Sequence, residues 1–403
     1  MLTFNYEAKD RLTKKHIKST IQAESEAAAY KLLLEQDYIP AKIEEQSKSG
    51  SILGKFSNRI KGKDKVVFSR QLSTLIGAGL PLAQGLSTVV DQTDNPRMKA
   101  VVQEILASVE GGKSLGESFS KHPEVFNTVY IALVEAGETS GTLDKALERL
   151  ATQQEKDAEM MSKIRGAMVY PAIVLFVILG VMIFMLFTIV PQVEKLYHDL
   201  KQELPFISQI MVGTANFLIH YWYVVILVGG LLIYFLVQYI RTDDGKRFLD
   251  TLKLNLPVFG PLFRKLYMAR FTRTGESLLS TGVPMLDSLD ICARSVNNSF
   301  VARSILHAAE KVKSGKGLAE SLETEDYILP LVPQMIGIGE KSGRVDEMLG
   351  KTATVYESEL DATIKAISTV IEPVLMVVLA IVAGGMVAAI LLPIYQLVGT
   401  IKV

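Results

Sequence analysis

The sequence repeats itself over most of its length. FSRQLSTLIGAGLPLAQGL, at residues 68–86, returns as FTRTGESLLSTGVPMLDSL at residues 271–289, which is 203 residues later (271 − 68). GETSG, at residues 137–141, returns as GEKSG at residues 339–343, which is 202 residues later (339 − 137). A fixed register with a single one-residue slip indicates a tandem duplication, and each copy must then fold into a similar domain.

Within each copy the apolar residues recur at helical spacing. Phe68, Leu72 and Ile76 share one face in the first copy, and Val301 and Ile305 continue the same pattern in the second. Glycine and proline interrupt this pattern at the ends of helices. Short helices joined by tight turns predict an antiparallel helical bundle for each copy, and neither copy shows the alternation of a strand.

Three long apolar runs follow or separate the two copies. The first, residues 169–190, carries no charged side chain, and the others cover residues 223–240 and 369–398. A bilayer core requires about 20 apolar residues in a helix, so each run predicts a transmembrane helix. The aromatic cluster at residues 221–223 is typical of a membrane interface.

Lysine and arginine near the span ends predict the orientation of the chain. The residues on one side are Lys163, Arg165, Arg241, Lys246, Arg247, Lys253 and Lys365, and those on the other are Lys195, Lys201 and Lys402. This asymmetry predicts that both copies are cytosolic and that the C-terminus lies across the membrane. Two crossings between the copies agree with it, and the first residues lack the apolar core of a signal peptide, which keeps the N-terminus cytosolic.

The N-terminal residues have a different pattern. Residues 3–8 alternate as a strand does, and residues 16–25 are a candidate hairpin partner. Ser25 is placed to cap a helix, and residues 37–43 can return as a short strand. A small α+β module with βαβ-like order is therefore predicted.

Residues 46–65 are rich in Ser, Gly and Lys and are interpreted as a linker. Four apolar residues in it fall at helical spacing: Ile52, Leu53, Phe56 and Ile60. One interpretation is a short amphipathic helix on an anionic membrane surface or a partner. The other is a tether that packs loosely on the next domain.

These assignments predict an all-α membrane protein with two homologous cytosolic helical bundles, three transmembrane helices and the small N-terminal α+β module. The segments are the module (1–45), the linker (46–65), the first bundle (66–168), the first span (169–190), a periplasmic loop (191–222), the second span (223–240), the second bundle (241–368) and the third span (369–398).

No catalytic residue, cofactor-binding residue or metal ligand can be assigned, and no cofactor is expected. The five histidines include no HExxH motif and no ligand-spaced pair, and a formal net charge of +0 argues against a nucleic-acid partner. Residues 111–114, GGKS, lack the spacing and the preceding strand of a phosphate loop. They are interpreted as the end of one helix followed by Ser114 as the cap of the next. The single cysteine, Cys292, excludes an intramolecular disulfide.

The spans contain almost no ionisable side chain, which argues against a membrane transport component, the main alternative function, because a carrier needs a polar path. An intramembrane hydrolase is a more distant alternative, since no Ser, His or Asp pair lies at mid-span.

The GE-x-SG turns are the most specific local signal. Each is expected to end a helix with Gly, while its Glu and Ser bond exposed amides at the start of the next helix. The alternative is a polar knob presented to a cytosolic partner. The residues concerned are Glu138, Ser140 and Gly141 in the first copy and Glu340, Ser342 and Gly343 in the second.

In the third span Ala380, Gly384 and Ala388 recur at every fourth position. Such a small-xxx-small face allows close helix approach, so these residues are predicted to pack against another helix.

The repeated F-x-R segments, the GE-x-SG turns, Tyr170-Pro171, Glu372-Pro373 and Leu392-Pro393 resemble those of the inner-membrane platform family. This family comprises the F-type proteins of type II secretion and their PilC-like counterparts in type IV pilus assembly. The likeness covers the chain from Val66 onward, and the N-terminal module is similar in position and pattern.

The resemblance implies a non-enzymatic, multi-pass platform in the bacterial inner membrane, with the C-terminus in the periplasm. It implies a homo-oligomer, a dimer or a trimer, that engages a hexameric cytosolic ATPase, pilin or pseudopilin helices in the membrane, and other inner-membrane assembly proteins. The residues do not distinguish a pilus from a secretion pseudopilus.

Glu372 stands at the cytosolic boundary of the third span, where the first copy has Tyr170. One interpretation is an interfacial carboxylate hydrated among headgroups. The other is a partner for the cationic N-terminus of a pilin, a group that the resemblance implies, because a carboxylate partly out of water needs a pair.

Overall fold

The computed structural model describes residues 2–10, 16–23, 30, 38–45, 59–199, 206–257 and 259–400. These residues separate into two compact units. The smaller unit comprises residues 1–60 with 95–97, and the larger comprises residues 61–94 with 98–403.

The smaller unit contains a three-stranded sheet in the order β2-β1-β3. The strands are β1 (Leu2–Asp10), β2 (His16–Ala23) and β3 (Tyr38–Glu45). The predicted hairpin is confirmed, with β1 antiparallel to β2, and the predicted third strand is confirmed as well. Because β3 also runs antiparallel to β1, strands β2 and β3 run parallel to each other on either side of β1. The helix predicted from Ser25 and the linker residues 46–58 lie outside the described residues, apart from the helical Tyr30.

The register of β3 shifts where its proline lies. Glu7 pairs with Lys42, but Ala8 pairs with Pro40, so one residue of β3 is bulged. Proline has no N–H to donate to a neighbouring strand, and it is tolerated here because β3 is at the edge of the described sheet.

The first bundle is helical throughout, as predicted. Its helices are α1 (Gly62–Gly77), α2 (Leu82–Gln92), α3 (Pro96–Glu110), α4 (Leu115–Ser120) and α5 (Thr128–Ser140). Gly79 and Gly112 adopt positive φ in the turns after α1 and α3. Ser114 accepts a hydrogen bond from an amide of α4, which confirms it as an N-cap, and Asn127 does the same for α5.

The second bundle repeats this arrangement. Its helices are α9 (Gly260–Ser280), α10 (Met285–Ser295), α11 (Ser299–Lys313), α12 (Leu318–Glu323) and α13 (Leu331–Ser342). Gly282 and Gly315, the counterparts of Gly79 and Gly112, again have positive φ. An additional helix, α8 (Asp243–Asn255), precedes this bundle.

Two very long helices connect the bundles to the membrane. Helix α6 (Leu143–Asp199) has 57 residues and α14 (Val345–Thr400) has 56. At 1.5 Å per residue each is about 85 Å long. The boundaries predicted at residues 168 and 368 fall inside these helices, because no turn interrupts the chain there. Prolines such as Pro171 and Pro373 are tolerated in membrane helices.

The third membrane helix is α7 (Phe206–Arg241), which has a break at Tyr221 (φ −117°, ψ 22°). Helices α6, α7 and α14 are the three described helices that are long and apolar enough to cross a membrane, as predicted. The segment predicted as a loop, residues 191–222, is largely helical. Its α7 residues Val212 and Ala215 pack against Leu186 and Val190 at the end of the first span.

The two bundles have chemically different cores. In the first, Phe68, Phe119, Phe126 and Tyr130 stack with ring centroids 4.4–6.2 Å apart. In the second, the positions equivalent by the sequence offsets are Phe271, Leu322, Ile328 and Val332, and all four are buried. The same helix arrangement is therefore filled by four aromatic rings in the first bundle and by Phe271 with three aliphatic side chains in the second.

Candidate interaction sites

The first GE-x-SG turn closes helix α5. Both oxygens of Glu138 accept hydrogen bonds from backbone amides at the start of α4, from Leu115 at 2.6 Å and from Gly116 at 2.9 Å. The hydroxyl of Ser140 donates to the Ala136 carbonyl in the preceding turn. Gly141 ends the helix in the left-handed conformation, with φ +69°. Glu138 thus holds the short helix α4 against α5.

The second turn repeats this geometry. Glu340 accepts hydrogen bonds from the amides of Leu318 at 2.6 Å and Ala319 at 3.4 Å, and Ser342 donates to the Ile338 carbonyl at 2.9 Å. Gly343 again has φ +69°. A carboxylate at a helix N-terminus is favoured by the exposed amides and by the helix dipole, so both glutamates stabilise the short helix that precedes their own.

The predicted local partner of these turns was wrong. The sequence pattern pointed to the amides of the next helix, but the carboxylates bond the helix before α5 or α13. The reason is geometric: Glu138 and Glu340 lie inside the last turn of their helix and point back along it. The helix ends at Gly141 and Gly343, four residues after the first glycine of each motif.

The first glycine of each motif has a packing role that sequence reasoning missed. A Cβ on Gly137 would lie 2.5 Å from the Cβ of Ala146 in α6, and one on Gly339 would lie 2.7 Å from the Cα of Val345 in α14. Both glycines therefore allow the long helix to approach closely. Thr139, Ser140 and Gly141 are exposed in the first turn, and residues 340–343 are exposed in the second.

An arginine in each F-x-R segment fastens the bundle to its long helix. Arg70 binds Glu155 at 2.6 Å and Glu148 at 2.8 Å in α6. Arg273 binds Glu357 in α14 at 2.8 Å and Glu276 at 3.3 Å. Hydrogen bonds from Arg70 hold the pKa values of Glu148 and Glu155 below their usual range.

A polar cleft of about 180 Å³ lies between the two bundles. Gln153 donates to the Thr274 hydroxyl across it at 3.0 Å, and Arg270 lies 3.9 Å from Asp157. Confinement in the cleft raises the pKa of Asp157, an effect that Arg270 opposes and the nearby negative charge of Glu357 reinforces. The cleft joins one bundle to the other through polar contacts.

A further ion pair joins the two long helices. Lys163 of α6 lies 2.7 Å from Asp361 of α14, a short distance before the spans begin. Among the described residues, no cluster of His, Cys, Asp or Glu is arranged to hold a metal ion.

The remaining candidate residues lie on the outer surface of α14. Glu372 is exposed, and within the described part of the chain it has no hydrogen-bond or ion-pair partner. Ala380, Gly384 and Ala388 are exposed as well, and a Cβ added to Gly384 would meet no atom within 4 Å. No described helix of the same chain covers this face.

Comparison with known proteins shows the class to which this architecture belongs. The family model "Type II secretion system (T2SS), protein F" matches residues 68–191 and again 271–393, and the model of its N-terminal domain matches residues 1–44. The chain therefore belongs to the type II secretion system protein F family, and it is a multi-pass inner-membrane protein.

Individual relatives include proteins of two kinds of assembly machine. The chain is 37% identical to a type IV pilus assembly protein PilC of Thermus thermophilus, over 100% of both chains. It is 40% identical to a PilC of Myxococcus xanthus, over 85% of this chain and 82% of the relative. It is 32% identical to a type II secretion system protein F of Vibrio cholerae, over 98% of both.

Proposed function

We propose that this chain is a non-enzymatic inner-membrane platform that couples a hexameric cytosolic assembly ATPase to the insertion of pilin or pseudopilin subunits. The continuity of α6 and α14 carries this proposal. Each helix begins in a bundle and continues into the bilayer without a break. A displacement of a bundle is therefore transmitted to the spans as the movement of a rigid rod.

The contacts between the repeats support a single moving body. The Arg70 and Arg273 clamps fasten each bundle to its own rod, and Lys163–Asp361 links the two rods. The lysine and arginine asymmetry supports a topology with both bundles and the N-terminus in the cytosol and the C-terminus in the periplasm.

Three surfaces are proposed for partners. The exposed parts of the two GE-x-SG turns face the ATPase, and Glu372 pairs with the cationic terminus of a waiting pilin. The small-residue face at Ala380, Gly384 and Ala388 packs against a helix of a second copy in a dimer or trimer. The exposure of Glu372 and of this face supports these assignments.

An insertion that breaks one rod tests the coupling. Gly-Gly-Ser-Gly inserted between Ser162 and Lys163 removes the rigid connection of the first bundle to its span. We expect the variant to insert, fold and bind the ATPase, while pilus or pseudopilus output falls to background. The same insertion between Ala78 and Gly79, in the exposed turn after α1, is the matched control. Wild-type output from the α6 insertion would refute the mechanical role.

The non-enzymatic part of the proposal has its own test. Isothermal titration of the purified chain with ATP should give no binding heat, and the chain alone should release no phosphate. Stoichiometric ATP binding would contradict the assignment of energy supply to a separate ATPase.

A further inference from the structure

Helix α8 begins where the second span ends. Thr242 follows the last residue of α7, and its hydroxyl accepts a hydrogen bond from the amide of Gly245 at 3.1 Å. A Cβ on Gly245 would overlap the carbonyl oxygen of Tyr239 in the last turn of α7. The side of α8 that carries Gly245 is therefore turned toward the span.

Large apolar residues follow on that same side. Phe248, Leu249 and Leu252 stand three, four and seven positions after Gly245, which places them on one face of the helix. Phe248 is 59% exposed and Leu252 is 43% exposed, whereas Leu254, on another face, is buried. An apolar pair on a helix joined directly to a span is suited to the boundary between headgroups and acyl chains.

A cleft of about 620 Å³ adjoins this helix. It is lined by four cationic side chains, Lys246, Arg247, Lys253 and Arg294, and by two anionic ones, Asp243 and Asp250. Ile240, near the end of the span, lines it too. The cleft is therefore at the membrane boundary, and positive charge is in excess.

One of the two carboxylates in the cleft has structural contacts. Asp250 is buried, accepts a hydrogen bond from the amide of Ser299 at 2.9 Å and lies 3.5 Å from Lys253. Lys246 and Asp243 are both exposed, and at a separation of 3.9 Å they form a weak ion pair. Lys246 and Arg247 are thus the cations with the fewest contacts, and Arg294 forms an exposed ion pair with Asp290 at 2.8 Å that an anionic ligand would share.

The first repeat does not have this charge. At the offset of 203 residues, the counterpart of Arg294 in the first bundle is Asp91, which carries the opposite charge. The first bundle, unlike the second, does not begin directly after a transmembrane helix. The cation at this position, like its ion-pair partner Asp290, is therefore a feature of the second bundle alone.

We propose that α8 lies in the membrane interface, with Phe248 and Leu252 at the acyl-chain boundary, and that the adjoining cleft binds the phosphate of an anionic phospholipid through Lys246, Arg247 and Arg294. Basic pockets at the ends of membrane helices suit such headgroups because each cation near an anionic surface contributes about 1 kcal/mol. The site rests on α7 crossing the bilayer and requires neither the ATPase nor a pilin.

Tryptophan fluorescence of the full chain in vesicles tests the depth of α8. Phe248→Trp is placed in a Trp222→Phe background, which removes the single native tryptophan. In vesicles of phosphatidylcholine and phosphatidylglycerol, we expect blue-shifted emission that lipids brominated near the headgroup quench. Lys313→Trp, at an exposed position of α11 in the second bundle, is the control and should be quenched little. Equal quenching of the two variants would overturn the interfacial placement.

Retention of lipid tests the headgroup site. Native mass spectrometry of the full chain with phosphatidylglycerol should show bound lipid, and Lys246→Gln with Arg294→Gln should weaken it about fivefold per cation removed. Lys313→Gln with Lys316→Gln, at exposed lysines beyond the cleft, should leave retention unchanged. Equal retention by both double variants would overturn the site. So would displacement of the lipid by millimolar inorganic phosphate, since the ligand would then be a free anion.

Discussion

The two bundles have the same arrangement of helices, but in equivalent contacts the side chain comes from different helices. In the first, Ser73 of α1 donates to Glu148 of α6 at 2.8 Å. In the second, the equivalent of Ser73 is Glu276 and the equivalent of Glu148 is Gly350, where an added Cβ would lie 3.1 Å from the Glu276 side chain. The carboxylate next to the clamp arginine therefore comes from the long helix α6 in the first bundle and from α9 in the second.

A second exchange has the same form. A Cβ on Gly116 in α4 would overlap the side chain of Glu135 in α5, so a larger residue there fits only if Glu135 moves. In the other repeat Ala319 replaces the glycine and Gly337 replaces the glutamate, with an added Cβ 3.4 Å from the Ala319 methyl. The contact between these two helices is present in both repeats. The larger side chain comes from α5 in the first repeat and from α12 in the second.

These exchanges show which property of the bundle is constrained. Packing density between paired helices is kept, because voids and overlaps both destabilise a core. The identity of the residue at one position is not kept. Single residues moved from one repeat to the other should therefore clash, and paired transfers should not.

The largest expected effect concerns the aromatic core. Phe126→Ala should destabilise the first bundle by about 3–5 kcal/mol, because the buried ring contacts Phe68, Phe119 and Tyr130 and would leave a cavity. Ile328→Ala, at the equivalent aliphatic position, should cost nearer about 2 kcal/mol. Hydrogen exchange of the full chain in detergent would resolve the two bundles separately. Equal loss of protection in both bundles would show that the aromatic core contributes no more to stability than the aliphatic residue at the equivalent position.

An intermediate effect is expected at Gly116. Gly116→Ala should cost about 1–3 kcal/mol through overlap with Glu135. Adding Glu135→Gly, which reproduces the pair found in the second bundle, should remove the overlap and recover part of that loss, since a glycine inside α5 itself costs about 1 kcal/mol. Thermal unfolding of the single and double variants measures both quantities. A harmless Gly116→Ala would mean that Glu135 moves away freely and that the exchange carries no constraint.

The smallest effect concerns pH and the cleft between the bundles. Since the pKa of Asp157 is raised in the folded chain, its ionised form lowers stability above the folded pKa, and this penalty disappears as the pH falls toward the unfolded value. Asp157→Asn should therefore raise the melting temperature slightly at neutral and alkaline pH and leave it unchanged in acid. Melting curves across this pH range provide the check, and a lower melting temperature for the variant at pH 8 would contradict it.

Several features of this molecule were accessible from sequence because they depend on local or periodic signals. The duplication, the helical bundles, the three spans and the N-terminal hairpin belong to this group. The partner of Glu138 was not accessible, since the amides of Leu115 and Gly116 lie more than 20 residues earlier in the chain. The close approach at Gly137 depends on tertiary packing against Ala146, which no local pattern encodes.

The most direct test of exchanged contacts is a double-mutant cycle at residues 276 and 350. Glu276→Ser removes one partner of Arg273, and Gly350→Glu brings two carboxylates together, so each alone should destabilise the second bundle. Together they recreate the arrangement of Ser73 and Glu148, and the unfolding free energies should show a favourable coupling of about 1–2 kcal/mol. Strict additivity of the two single changes would contradict the account.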